Sequence, residues 1–111
     1  MEYLYADYVP VIKAMSDETR LKVIDMLSCG EMCACELLEE FNISQSTLSY
    51  HMNLLSASGL VNARRDGSKM MYTLKKKNID ELLAFITHIT SDKEDCICKK
   101  YQSRKVVSKN V

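Results

Sequence analysis

Apolar positions along the chain follow two different periods, and the change from one to the other outlines the fold. From Tyr3 to Met15, the residues Leu4, Tyr8, Val11, Ile12 and Met15 keep helical spacing. Pro10 within that stretch starts a fresh turn or kinks it. Ser16 has the character of an N-cap, with Asp17 and Glu18 in the first turn of a second helix. The apolar face of that helix is Leu21, Val23, Ile24 and Leu27, and Gly30 ends it. A short third helix is expected from about Cys33 to Phe41, anchored by Leu37, Leu38 and Phe41. After a tight turn at Asn42 and Ile43, Ser44 caps a fourth helix over about Gln45 to Ser58, with Gly59 at its stop.

The period then shortens. Leu60 to Arg65 and Met70 to Leu74 read as two strands joined around Asp66-Gly67. Asn78, with Glu81 three residues on, has the capping-box signature of a last helix striped by Ile79, Leu82, Leu83, Ile86 and Ile89, with Phe85 beside it. Beyond Thr90 the chain turns polar and is expected to fray. The predicted order is α-α-α-α-β-β-α: a mainly helical winged helix-turn-helix with one β-hairpin. Residues 1–91 are expected to form one folded domain, and residues 92–111 a flexible, basic, cysteine-containing tail.

The fourth helix carries the functional signal. Leu48, Met52 and Leu55 share its inner face, while Gln45, Ser46, Thr47, Ser49, Tyr50 and Asn53 lie largely elsewhere. A solvated helix face usually carries Glu, Lys and Arg, yet no charged residue stands from Gln45 through Ser58. Uncharged hydroxyl and amide groups suit a helix that enters the major groove and meets base edges and phosphates. His51 is either a base or phosphate contact or a buried brace to the preceding helix. Arg64, Arg65 and Lys69 sit on or beside the hairpin tip, within reach of backbone phosphate or the minor groove.

Composition refines this picture. The chain has 111 residues, one domain's worth, with 47% hydrophobic residues and a single proline. Its net charge is zero, so any affinity for nucleic acid must come from how charge is distributed. Bases cluster at Arg64, Arg65, Lys69 and Lys75 to Lys77, and again in the tail. No apolar run is long enough to span a membrane. The first residues lack the basic start and apolar stretch of a secretory signal, so a cytoplasmic protein is expected.

In a reducing compartment, the five cysteines point to soft-metal ligation or thiol sensing rather than to a disulfide framework. They fall at Cys29, in Cys33-Ala34-Cys35 and in Cys96-Ile97-Cys98. Thiolates at the start of the third helix are ready ligands. Two helical positions two residues apart point roughly 200° away from each other. A shared ligand would then open the helical turn that braces the reading helix.

Three motifs carry a resemblance to one family. Ala14-Met-Ser-Asp-Glu-Thr-Arg-Leu21, Ser44-Gln-Ser-Thr-Leu-Ser-Tyr-His51-Met-Asn-Leu-Leu55 and the run from Gly59-Leu-Val61 through Arg64-Arg-Asp-Gly67 to Tyr72-Thr-Leu74 resemble, in order, the arsenic-repressor (ArsR) family of metal-sensing winged-helix repressors. The resemblance covers roughly residues 5 to 90. It implies a homodimer built on the first and last helices, double-stranded operator DNA as partner, no membrane role, and release of the operator on ligand binding. The stripe from Leu82 through Phe85 to Ile89 suits that dimer interface.

Glu31-Met-Cys33-Ala-Cys35-Glu-Leu37 is similar to the inducer-binding segment of the family's arsenic, antimony, cadmium and lead sensors. The resemblance thus implies trivalent arsenic or antimony as inducer at Cys33 and Cys35. A third thiolate would come from Cys29 or from the tail cysteines Cys96 and Cys98, because Leu37 stands where some arsenic repressors have their third cysteine. Cadmium and lead sensors draw ligands from an N-terminal segment, and no cysteine here precedes Cys29. Only His88 stands where zinc, nickel and cobalt sensors place ligands on the last helix. Two further alternatives are a thiol redox switch on the same fold and a winged helix that binds protein rather than DNA. An enzyme is not expected, since neither His51 nor His88 accompanies a nucleophile motif.

Overall fold

The structure is a computed structural model that describes residues 3–94 and 97–104, with side chains up to residue 101. Helix α1 (Tyr5–Met15) and helix α2 (Glu18–Leu27) lead into a two-residue strand β1 (Met32–Cys33) and a short helix α3 (Ala34–Glu39). Helix α4 (Gln45–Ala57), strands β2 (Val61–Asp66) and β3 (Lys69–Leu74) and helix α5 (Lys76–Thr90) follow, and then a 3-10 run over Ile97–Arg104. This is a mainly helical winged helix-turn-helix. Among the described residues no helix is long and apolar enough to cross a membrane.

Local chemistry explains most of the boundaries. Ser44 Oγ accepts from the Thr47 N–H at 3.1 Å and starts α4 where the sequence predicts. Gly59 at φ +86° and Gly67 at φ +66° turn the chain after α4 and at the hairpin tip. Asp66 pairs with Lys69, which leaves Gly67-Ser68 as a two-residue loop. Helix α1 continues through Pro10 without interruption.

Four expectations need correction. Asp17, not Ser16, caps α2, because its carboxylate accepts from the Arg20 N–H at 3.1 Å, whereas Ser16 closes α1. Val23 and Leu27, one turn apart, carry the buried face of α2, and Leu21 is 48% exposed on another side. Asn78 does not cap α5, which begins two residues earlier; its Nδ2 instead donates to the Gly59 carbonyl at 2.7 Å. Finally, β1 has no counterpart in the predicted element order. It joins the hairpin as a third antiparallel strand, in spatial order β1-β3-β2, with Met32 opposite Tyr72 and Cys33 opposite Met71.

The core lies where α2, α3 and α4 meet the sheet. Val23, Leu37, Leu48, Met52, Leu55, Leu60 and Val61 are its fully buried large side chains. Helices α1 and α5 close against each other through Tyr8 stacked on Phe85, with ring centroids 4.1 Å apart. Leu82 and Phe85, read from sequence as part of an open stripe, are thus buried within the single chain. What α5 leaves exposed is Leu83, Ile86 and Ile89, and α1 leaves exposed Tyr5, Val9 and Ile12, with its N-cap Leu4.

Candidate functional site

Helix α4 buries Leu48, Met52 and Leu55 and turns Gln45, Ser46, Thr47, Ser49 and Tyr50 outward. Tyr50 is 60% exposed, a large ring held in solvent on an uncharged face. Thr47 Oγ1 accepts from Ser44 Oγ at 3.0 Å. His51 lies differently. Its side chain is only 12% exposed, and its Nδ1 stands 2.8 Å from Arg20 Nη1 and 3.9 Å from Asp17 Oδ2. Arg20 Nε also donates to the Ala14 carbonyl at 2.6 Å. The ring thereby fastens α4 to the start of α2 and the end of α1, rather than to α3.

On the hairpin, Arg64, Arg65 and Lys69 are all exposed. Arg64 is engaged within the chain: its Nε and Nη2 each donate to a Glu31 carboxylate oxygen at 2.8 Å. This two-pronged pair holds the Glu31 carboxyl below its ordinary range. Glu31 immediately precedes β1, so the pair ties the wing to the segment that carries the cysteines. No local pattern signals this pair, since the partners are 33 residues apart.

The cysteine pair sits at the joint between β1 and α3. Cys33 is extended, not helical, and serves as the N-cap of α3. Its Sγ accepts from the Glu36 N–H at 3.2 Å, and its N–H donates to Glu36 Oε1 at 2.9 Å, a capping box with sulfur in place of hydroxyl. Cys33 and Cys35 are joined in a disulfide with Cα atoms 5.3 Å apart. The expected 200° separation therefore does not apply. It assumed that both residues were helical, whereas the cap geometry lets the sulfurs meet with α3 intact. Cys33 is buried and Cys35 exposed.

The remaining cysteines are placed apart from this pair or fall outside the description. Cys29 is exposed in the turn after α2, Cys98 lies in the 3-10 run, and Cys96 lies outside the described residues. Among the described residues, no three His, Cys, Asp or Glu side chains stand together as a metal site. The donor set present is thus two sulfurs, and neither Cys29 nor His88 completes it. His88 lies instead against the Tyr3 ring, with centroids 5.0 Å apart.

A groove of about 520 Å³ joins these parts. Cys33 and Cys35 line it together with Gln45 and Ser49 of α4 and Arg65 and Lys69 of the wing. One cavity therefore touches the sulfurs, the outward face of α4 and the hairpin cations.

The profile of the bacterial regulatory protein, arsR family, matches residues 17–63. An arsenical resistance operon repressor of Staphylococcus aureus is 41% identical over 99 residues, which span 89% of this chain and 95% of the relative. Among solved structures, HlyU from Vibrio cholerae N16961 superposes with a TM-score of 0.66 at 33% identity, covering 81% of this chain and 98% of HlyU. A homodimeric winged helix-turn-helix DNA-binding domain from Mycobacterium bovis gives a TM-score of 0.64 at 26% identity, covering 77% of this chain and 79% of that domain. The chain belongs to the arsR family of bacterial regulatory proteins and is a regulator rather than an enzyme.

Proposed function

We propose that this arsR-family protein is a DNA-binding repressor whose operator affinity is set by the covalent state of Cys33 and Cys35. Helix α4 enters the major groove with Gln45, Ser46, Thr47, Ser49 and Tyr50, and the wing meets backbone phosphate with Arg65 and Lys69, while Glu31 holds Arg64 back. His51 acts in this scheme by aiming α4. Two copies joined through α1 and α5 present two reading helices to double-stranded operator DNA. Residues 1–91 supply the binding and dimerisation unit, with 92–111 as an appended segment.

The observation that carries the switch is the Cys33–Cys35 disulfide at the α3 N-cap, in the groove shared with α4 and the wing. Cys33 is a rung of the β1–β3 ladder and the cap of the helix that braces α4. Oxidation of the pair removes two protons and two electrons and fixes that rung and cap covalently. Both DNA-reading elements feel the change, and the oxidised state is the one that releases DNA. This supports the thiol-redox reading over a three-thiolate site.

A second reading rests on the 41% identity to the Staphylococcus aureus arsenical repressor: trivalent arsenic or antimony bridging the same two sulfurs once reduced. Cadmium or lead at the same two sulfurs is the other metal of this second reading. Operator binding by wild type and by Cys33→Ser/Cys35→Ser separates the readings. Wild type under strict reduction is compared with the same protein after oxidation and after arsenite. Release on oxidation, with arsenite inert, supports the redox switch. Release by arsenite under reduction favours the arsenical reading. If the double variant still releases DNA in either arm, the sensor lies elsewhere.

A further inference from the structure

The groove beside the cysteine pair has the composition of a binding site. Leu38, Leu48, Met52 and Met70 give it apolar walls, and among the described residues no acidic side chain lines it. Arg65 and Lys69 stand at its wing side. Their neighbour Arg64 is neutralised by Glu31, and Lys76 by Asp80, yet among the described residues no carboxylate pairs with Arg65 or Lys69. Two cations with no carboxylate at ion-pair distance, lining one groove with the exposed Cys35, favour a small, negatively charged molecule.

We propose that this groove docks small disulfides bearing carboxylates, which oxidise the pair by thiol–disulfide exchange. The proposal rests on the thiol-switch reading above and names the class of its oxidant. Cys35 is exposed, while Cys33 is 4% exposed, and this sets the order of steps. The Cys35 thiolate attacks one sulfur of the docked disulfide, forming a Cys35–S–S–R bond and expelling one RS⁻. The Cys33 thiolate then attacks Cys35 Sγ, forming the Cys33–Cys35 bond and expelling the second RS⁻. The two protein thiols give two protons to solvent, and their two electrons leave on the two small thiolates. The Glu36 N–H is in place to hydrogen-bond the Cys33 sulfur that makes the second attack. Arg65 and Lys69 hold the carboxylates of the incoming molecule. Those same cations are proposed to meet DNA phosphate, so bound operator and docked disulfide compete for them.

The test uses the full chain, reduced and free of DNA, and follows Cys33–Cys35 formation by mass spectrometry of the peptide that contains both. Oxidised glutathione supplies an anionic disulfide, hydroxyethyl disulfide a neutral one and cystamine a cationic one; hydrogen peroxide serves as an oxidant with no carboxylate. Each rate is divided by that of the same oxidant with dithiothreitol. Oxidised glutathione is expected to outpace cystamine by about tenfold or more, with hydroxyethyl disulfide between them. In Arg65→Gln/Lys69→Gln the preference of oxidised glutathione over cystamine falls to about one, while peroxide still joins the two cysteines and shows the pair intact. Equal normalised rates in wild type overturn the docking proposal and leave the thiol switch standing. If no oxidant, peroxide included, joins the two cysteines, the thiol switch falls and the docking proposal falls with it.

Discussion

Asp17 gathers several roles into one carboxylate. It caps α2, and it lies beside the Arg20–His51 contact that fixes α4. Arginine is only a donor, so His51 Nδ1 is the acceptor and the neutral ring carries its proton on Nε2. Asp17→Ala removes the cap and is expected to cost about 1 kcal/mol of stability at pH 7 in urea unfolding. The cost depends on pH in a defined direction. The carboxyl is held below its ordinary 3.8, first by the Arg20 backbone hydrogen bond. Its contribution is thus fully present above that value and is lost as pH falls through the lower native one. The gap between wild type and variant should hold from pH 7 to about 5 and close below 3.8. A gap as wide at pH 3 as at pH 7 would contradict this account. Gly59 is a second sensitive position. At φ +86°, a Cβ there would stand 3.1 Å from Asn78 Nδ2, whose hydrogen bond joins the α4 exit to α5. Gly59→Ala should lower stability by more than about 1 kcal/mol, read as a fall in midpoint temperature.

Elements with a local cause were legible in the sequence. Ser44, Gly59 and the Asp66-Gly67 turn act within a few residues of themselves, and they lie where the pattern predicts. Elements whose cause is distant were not. Two residues cannot display a period, so the pattern starts a helix at Cys33 and assigns that residue a helical direction it does not have. Asn78 and Glu81 carry a capping signature, but the Asn78 amide is used by Gly59 across 19 residues. The hydrophobic stripe itself misplaces two faces: Leu21 of α2 is exposed, and Leu82 and Phe85 of α5 are buried, Phe85 because Tyr8 of α1 covers it. The Glu31–Arg64 pair belongs with these distant effects and yields a test. Glu31→Gln takes the two-pronged carboxylate from Arg64, leaves it only the longer contact to Asp66 at 3.9 Å, and frees a cation on the wing. The slope of log affinity for DNA against log salt should steepen, by up to about 0.9. Arg65→Gln should move the slope the other way. An unchanged slope in Glu31→Gln would mean that Arg64 does not gain a phosphate when released.

For the whole molecule, the proposed two-copy assembly needs an apolar surface that a single chain leaves open. Tyr5, Val9 and Ile12 lie one turn apart along α1, and Leu83, Ile86 and Ile89 recur at three-residue steps along α5; all are exposed in the single chain. Tyr8 and Phe85, behind them, already join the two helices. The apolar residues therefore remain available after the chain has completed its own core, as an isologous interface requires. Val9→Glu/Ile86→Glu places charges at positions 45% and 40% exposed, so the monomer fold tolerates them. Sedimentation should show the variant at half the wild-type mass, with helix content retained by circular dichroism. Binding to a two-half-site operator should weaken by about 10²-fold or more, because the second half-site is no longer engaged within the same complex. Affinity for an isolated half-site should change little, since α4 and the wing are untouched. A variant that stays dimeric would move the interface off α1 and α5. A monomer that holds the full operator as tightly as wild type would remove the need for a second copy.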